Sequence, residues 1–268
     1  PGQGKTRLVE ELRGVVAIDG RLFIDGKCFA GKNKTPYGAF KDALNSYLNI
    51  FNKYSKEKKA YIRERLKEKI GPLSEIILRL NQQMADILGD DHPDLVELQP
   101  ERENERFLNV ASGFFNSIAE AEGGLTVFID DLQWGDNGTF DLLTELIQDI
   151  SKNKFLIVGT YRDNEIEDGH QLLKLKNYAR KNNFYIKELI IPTFDHNRMY
   201  EFISELLHDE KNNINEIAEF ILNKSKGNPF FSIEILKHMV SLKAIYYKNN
   251  QWHINSYILD KIEISTSI

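Results

Sequence analysis

The spacing of hydrophobic positions changes several times along the chain, and each change predicts an element. Short, almost unbroken apolar runs occupy 125–129, 155–161 and 184–191; the first is bounded by Gly123-Gly124 and Asp130-Asp131. Runs of that length read as strands buried on both faces. Residues 15–18 and 22–29 are also β-prone, with Asp19-Gly20 and Asp25-Gly26 as turn signals. Elsewhere the apolar residues fall at helical spacing. Examples are Phe40, Leu44, Tyr47, Leu48 and Phe51, then Ile76, Ile77, Leu80, Met84 and Ile87, then Phe107, Ala111, Phe114, Phe115 and Ile118. Pro93 and Pro100 bracket a loop, and 8–12, 140–150 and 172–180 read as further helical segments. Strands alternating with helices predict an α/β fold: a parallel sheet with helices on both faces. After Pro192 the pattern becomes three consecutive helices at 197–207, 214–223 and 230–242. A hairpin at 244–254, turning at Asn249-Asn250, follows them and suggests the start of a winged helix.

Composition narrows the class. The 268 residues are 41% hydrophobic and 28% charged, the balance of an ordinary folded chain of one large domain and a smaller one. The net charge of −5 argues against nucleic acid as the main partner. The single cysteine, Cys28, excludes an internal disulfide and fits a reducing, cytoplasmic setting. No apolar stretch approaches the roughly 18 residues of a membrane span, and no secretory signal is read at the start.

The chemistry begins at the first residue. Pro1-Gly2-Gln3-Gly4-Lys5-Thr6 matches the latter part of G-x-x-x-x-G-K-[ST]. Glycines let the backbone wrap tightly enough to aim N–H groups at phosphate oxygens, and a helix starting at Lys5 adds its positive end. Lys5 can reach β- and γ-phosphates, and the Thr6 hydroxyl can ligate Mg²⁺; Gly2, Gln3, Gly4 and Arg7 complete the nucleotide-binding segment. The opening glycine and the strand before it are expected ahead of Pro1, in a longer chain cut at both ends. Asp130 and Asp131, at the end of an apolar strand, supply the acidic partner of such a loop. Strand side chains alternate between faces, so the two carboxylates are not expected to form a close dyad. Asp130 is assigned to the metal and Asp131 to the attacking water as general base. Arg162 follows the next strand, where it either meets a γ-phosphate or pairs with Asp163 or Glu165.

Four motifs together resemble a known family. Pro1-Gly2-Gln3-Gly4-Lys5-Thr6, Val127-Phe128-Ile129-Asp130-Asp131-Leu132-Gln133-Trp134, Gly159-Thr160-Tyr161-Arg162-Asp163-Asn164-Glu165 and Lys226-Gly227-Asn228-Pro229-Phe230-Phe231 look like the ATPase module of STAND-class NTPases. These are AAA-type P-loop ATPases used as signalling switches. The likeness is to the module of large bacterial hybrids that join a Ser/Thr kinase-like domain, an ATPase and a sensor histidine kinase. Any one motif alone would be unspecific; the four in this order cover nearly the whole chain. The resemblance implies ATP and Mg²⁺ as ligands, Lys5 and Thr6 on phosphates and metal, Asp130 on the metal, Asp131 on water and Arg162 as sensor. It implies that Gly227-Asn228-Pro229 is the G-x-P motif of a helical lid, with Pro229 near the adenine. A plain helix stop and restart accounts for the same tripeptide. Gln133 and Trp134 belong to the signature without an assigned role.

The expected architecture is therefore a three-layer αβα P-loop NTPase core at 1–194, lacking its first strand, with a mainly helical insertion at 53–123. A helical lid at 195–242 and a winged-helix-like element at 243–268 follow. The expected function is a Mg²⁺-dependent, slow ATPase acting as a regulatory switch. Its partners would be ATP or ADP, the flanking signalling domains, which would carry any kinase activity, and further copies of the chain through nucleotide-dependent self-association. Two alternatives stand beside it: a scaffold that holds ATP or ADP without hydrolysis, and a DNA-associated AAA-type loader. The acidic balance and the lack of a basic patch in the hairpin argue against the loader. The basic run at 53–69 is interleaved with Glu57, Glu64 and Glu68 and reads as a solvated helix face. The six histidines are scattered without metal-binding spacing. No G-x-S-x-G or H-R-D-L-x-x-x-N motif is present. The absence of an N-K-x-D guanine reader favours adenine.

Overall fold

A computed structural model of the protein describes residues 2–31, 35–89, 95–150, 154–209, 212–259 and 261. Pro93 of the expected loop and residues 262–268 of the expected winged element lie outside the described residues. The chain forms two compact units: residues 11–187, and residues 1–10 together with 188–268.

Helix α1 (Lys5–Ile18) starts in one unit and ends in the other. Its last turn corrects the β-prone reading of residues 15–18. β-Branching costs only tenths of a kcal/mol per helical residue, and Val16 is buried on the helix. The stop comes where glycine allows it: Gly20 takes φ 69°, and the N–H groups of Gly20 and Arg21 cap the carbonyls of Ala17 and Val16.

The sheet of the 11–187 unit contains β1 (Leu22–Lys27), β2 (Leu125–Asp130) and β3 (Phe155–Gly159), all parallel, in the order β1-β2-β3. The central strand is the most buried, with Leu125, Val127 and Ile129 at 1% exposure or less. Between β1 and β2 run α2 (Gly38–Phe51), α3 (Lys56–Ile70), α4 (Ser74–Leu80), α5 (Ala85–Leu88) and α6 (Pro100–Glu122). The apolar stripe expected on α2 is its buried face. Ile62 and Leu66 of α3 and Phe114 and Phe115 of α6 share one core with Ile24 and Val127 of the sheet. The helices between residues 53 and 123 thus pack as part of the sheet's own core. The charged side of α3 pairs outward, at Arg65–Glu68 and Lys69–Glu120. Helices α7 (Asn137–Asp149) and α8 (Gln171–Lys181) flank β3 in sequence.

The apolar run at 184–191 forms no strand. An extended segment needs a ladder partner for its backbone N–H and C=O groups, and no strand among the described residues pairs with it. Tyr185, Leu189 and Ile190 are accordingly exposed. Hydrophobic patterning reports how well a segment suits a strand, not whether a neighbour is there to receive it.

The other unit holds α9 (His196–Leu207), α10 (Asn212–Ser225) and α11 (Pro229–Ser241), as their spacing predicts. Met199, Ile203, Ile217, Ile221 and Met239 form its core. The hairpin of β4 (Ile245–Lys248) and β5 (Gln251–Ile254) turns through Asn249 and Asn250, both left-handed at φ 52° and 58°. That is the tight turn that Asn-Asn favours. The short α12 (Ser256–Leu259) follows. Among the described residues no helix is long and apolar enough to cross a membrane.

One glycine fixes the seat of α2 on the sheet. A Cβ at Gly26 would lie 1.8 Å from the Ala39 carbonyl oxygen, a backbone atom that cannot swing aside. Gly26→Ala is expected to destabilise this unit by about 3 kcal/mol, read as a lower urea midpoint with unchanged slope.

Candidate functional site

The carboxyl ends of β1, β2 and β3 gather a cluster of charged side chains, at the sheet edge where parallel α/β folds bind ligands. Asp130 ends β2 and stands in register with Lys27, which ends β1. Its Oδ1 accepts hydrogen bonds from the Asp131 backbone N–H at 3.1 Å and from the Thr160 hydroxyl just past β3. Its Oδ2 accepts from Lys27 Nζ at 3.0 Å.

Strand alternation predicts that Asp131 points away from Asp130. The structure differs, because Asp131 has already left the strand in a left-handed conformation, φ 55° and ψ 48°. Such a backbone costs a non-glycine residue about 1–3 kcal/mol and persists only where its surroundings hold it. Here Leu132 N–H donates to the Thr160 carbonyl at 2.8 Å, and Trp134 N–H to the Asp131 carbonyl at 2.9 Å. Gly159 makes room for the turn, since a Cβ there would come within 2.3 Å of Leu132 Cδ1. The turn brings the Asp131 carboxylate back to the same cation, with Oδ2 2.8 Å from Lys27 Nζ.

Asp131 is buried, at 7% exposure. Burial pushes its carboxyl up, but hydrogen bonds from Lys27 and Gln133 and the charges of Lys27 and Arg162 outweigh it and hold the group below the usual carboxylate value. Hydrogen bonds to Asp131 and Asp130 hold the Lys27 ammonium above the ordinary lysine value. Gln133, buried beside them, links the cluster. Its Nε2 donates to Asp131 Oδ1 at 3.0 Å, and its Oε1 accepts from the Arg162 backbone N–H at 3.1 Å. Its carbonyl lies 3.1 Å from His170 Nε2. His170 Nδ1 accepts from Leu172 N–H at the start of α8, which places the ring proton on Nε2. The Arg162 guanidinium pairs with Glu165 at 2.7 Å, lies 4.0 Å from Asp131 Oδ1 and stands 5.2 Å from the Trp134 ring centre.

The phosphate-loop residues lie in the other unit. Gly2 and Gly4 take φ 80° and 89°, a region that glycine enters without strain. Leu8 N–H donates to the Gly4 carbonyl at 3.0 Å and opens α1, whose first turn holds no acidic residue. Gly2 is wedged against the start of α11. Its carbonyl accepts from Phe230 N–H at 3.3 Å, and a Cβ on it would meet Phe230 Cβ at 2.6 Å. Asn228 caps α11 through Oδ1, which accepts from Phe230 and Phe231 N–H. Gly227, at φ 76°, passes close to Phe194, whose N–H it accepts at 2.8 Å. Gly227-Asn228-Pro229 is thus a helix stop and restart, and its neighbouring residue seats the loop.

Of the residues singled out in the sequence, Asp130, Asp131 and Arg162 come together in one unit. Gly2, Gln3, Gly4, Lys5, Thr6, Arg7 and Pro229 belong to the other. Lys27 and His170 were missed, while Gln133 and Thr160 stood in the quoted motifs without a role. Gln133 carried a signal, as an amide two positions after an acidic strand end. Lys27 carried none, because strand register is not written locally. Within its own unit each donor suits a hard cation: the Asp130 carboxylate in one and the Thr6 hydroxyl in the other are oxygen ligands of the kind Mg²⁺ takes. The left-handed glycines beside the open start of α1 suit phosphate.

A sequence profile for the family described as AAA ATPase domain matches residues 1–158, more than half of the chain. The protein therefore belongs to that family, and its parallel sheet with surrounding helices is a P-loop NTPase fold, the kind that binds nucleotide. Among curated relatives, a hybrid signal transduction histidine kinase G of Dictyostelium discoideum is 20% identical over 332 aligned positions. The alignment takes in 100% of this chain and 9% of the relative's length. No solved structure matches.

Gln133→Ala strips a buried hydrogen bond from Asp131 and another from Arg162 N–H, an expected loss of about 1–3 kcal/mol. The Asp131 share has a defined pH dependence. A depressed carboxyl stabilises the fold above its unfolded-state pKa, and the contribution fades as pH falls through the folded value. The stability gap between wild type and variant, measured by urea unfolding, is expected to be widest near neutrality and to narrow in strong acid.

Proposed function

We propose that the chain is a Mg²⁺-dependent ATP-hydrolysing module that works as a slow regulatory switch within a longer signalling protein. The observation that carries this reading is the Asp130–Asp131 pair at the tip of β2, together with the glycine loop that opens α1. Gly2 through Arg7 would cradle the phosphates, with Lys5 on the β- and γ-groups. Thr6 and Asp130 would hold Mg²⁺, which when bound neutralises charge on the phosphates. Asp131 would orient a water in line with the γ-phosphorus. The water oxygen forms the new P–O bond, the bond to the bridging β–γ oxygen breaks, ADP leaves, and the water's proton passes to Asp131 and on to solvent or phosphate. Arg162, released from Glu165, would meet the developing negative charge. Pro229 and the helices after residue 195 would serve as lid and carry the nucleotide state onward. The name of the Dictyostelium relative supports a signalling context, with flanking domains and self-association as outputs.

A second reading, nucleotide held without hydrolysis, draws on one feature of the same site. Asp131 already engages Lys27 and Gln133 and is held ionised below the usual range, which makes it a reluctant proton acceptor.

Two variants separate these readings. Lys5→Ala is expected to weaken ATP binding by about a hundredfold, as loss of a charge-assisted phosphate contact does, measured by calorimetry. Asp131→Asn is expected to keep binding and to slow single-turnover hydrolysis by about a hundredfold or more. Hydrolysis unchanged in Asp131→Asn removes Asp131 from the reaction; a wild type with no turnover favours the scaffold.

A further inference from the structure

We propose that Lys27 is a resident counter-cation that competes with Mg²⁺ for Oδ2 of Asp130, so that this lysine sets the metal concentration at which the site loads. The inference deepens the reading above and rests on Asp130 as the metal ligand.

The two oxygens of Asp130 have different partners. Oδ1 is committed to the Asp131 backbone N–H and the Thr160 hydroxyl, which fix the carboxylate's plane. Oδ2 is the oxygen turned to the cation side, and Lys27 Nζ sits on it at 3.0 Å. A Mg²⁺ ion must come within about 2.1 Å of a ligand oxygen, or reach it through one bound water. Either way a divalent charge arrives within a few ångströms of the ammonium. Like charges at that separation repel strongly, so the ammonium must withdraw from Asp130.

Lys27 is built to do so. Its backbone is fixed in the β1–β2 ladder, and the next N–H, of Cys28, donates to the Asp130 carbonyl at 3.0 Å. Its side chain is a flexible four-carbon stem, 44% exposed. Asp131, with Oδ2 2.8 Å away, offers a second carboxylate onto which it can move without leaving the site. An arginine in a rigid two-pronged pair would lack this freedom.

The proposal predicts a sign that a merely supporting role does not. If Lys27 only propped the aspartates in place, removing its charge would misplace them and weaken metal binding. If it competes, removal frees Oδ2 and leaves two carboxylates without a counter-charge, and both effects tighten metal binding. The test is a Mn²⁺ titration of the whole chain followed by electron paramagnetic resonance, without nucleotide and with excess ATP. Lys27→Met is expected to bind Mn²⁺ about fivefold more tightly than wild type, the scale of one partly exposed ion pair. Lys27→Arg, which keeps the charge in a stiffer pair, is expected to bind Mn²⁺ no more tightly than wild type, and Asp130→Asn to weaken binding. Circular dichroism checks each fold, and Lys27→Gln replaces the methionine variant if that one does not fold. Mn²⁺ affinity unchanged or weakened on loss of the charge overturns the proposal, as does a lack of Mn²⁺ binding by every form. ATP uptake measured in EDTA on the same samples keeps the two questions apart: its absence defeats the ATPase reading, while the Mn²⁺ comparison still decides the part played by Lys27.

Discussion

Two carboxylates side by side at the tip of a buried strand repel each other, and the end of this sheet is organised around that repulsion. The pairing of β1 with β2 places Lys27 opposite Asp130, and the left-handed turn at Asp131 brings the second carboxylate to the same ammonium. Thr160, Gln133 and the backbone of the Asp131–Trp134 turn then fix each oxygen. The bonds from Thr160, Gln133 and the turn backbone hold the two carboxylates in position, and the ammonium offsets their mutual repulsion. The interaction is ionic but only partly buried, so its energy is modest. What it provides is a counter-charge shared by two adjacent carboxylates.

The glycine loop that opens α1 is built differently. It depends on backbone freedom rather than charge, with Gly2 and Gly4 in conformations that suit glycine. Gly2 is seated on Phe230 and Asn228 at the start of α11. The loop and the helices after residue 195 therefore form one folding unit, while the aspartates belong to another.

Much of this was legible in the residues. The apolar run before Asp130-Asp131 announces a buried strand, because β-branched and aromatic residues without interruption suit no other short element. Gly2-Gln3-Gly4-Lys5-Thr6 announces a glycine turn into a helix, and Asn249-Asn250 announces a tight hairpin, since each depends on local backbone chemistry. What was illegible is non-local. Residues 184–191 look like a strand, yet no partner receives them among the described residues. Val15 to Ile18 look extended, yet the helix carries them on until Gly20 stops it. Alternation sends Asp131 away from Asp130, but the turn, whose cost is met by bonds to Thr160, a residue 29 positions later, brings it back. Lys27 could not be picked out at all, because its partner lies 103 positions away.

The central claim is the proposal that the chain binds MgATP with Asp130 as a ligand of the metal. The most direct measurement is ATP calorimetry with and without Mg²⁺ on wild type and Asp130→Asn. The account predicts that Mg²⁺ strengthens ATP binding by about tenfold or more in wild type, about the worth of one charge-assisted contact, and that this enhancement disappears in the variant. An enhancement of the same size in Asp130→Asn, or no ATP uptake by the wild type, would contradict it.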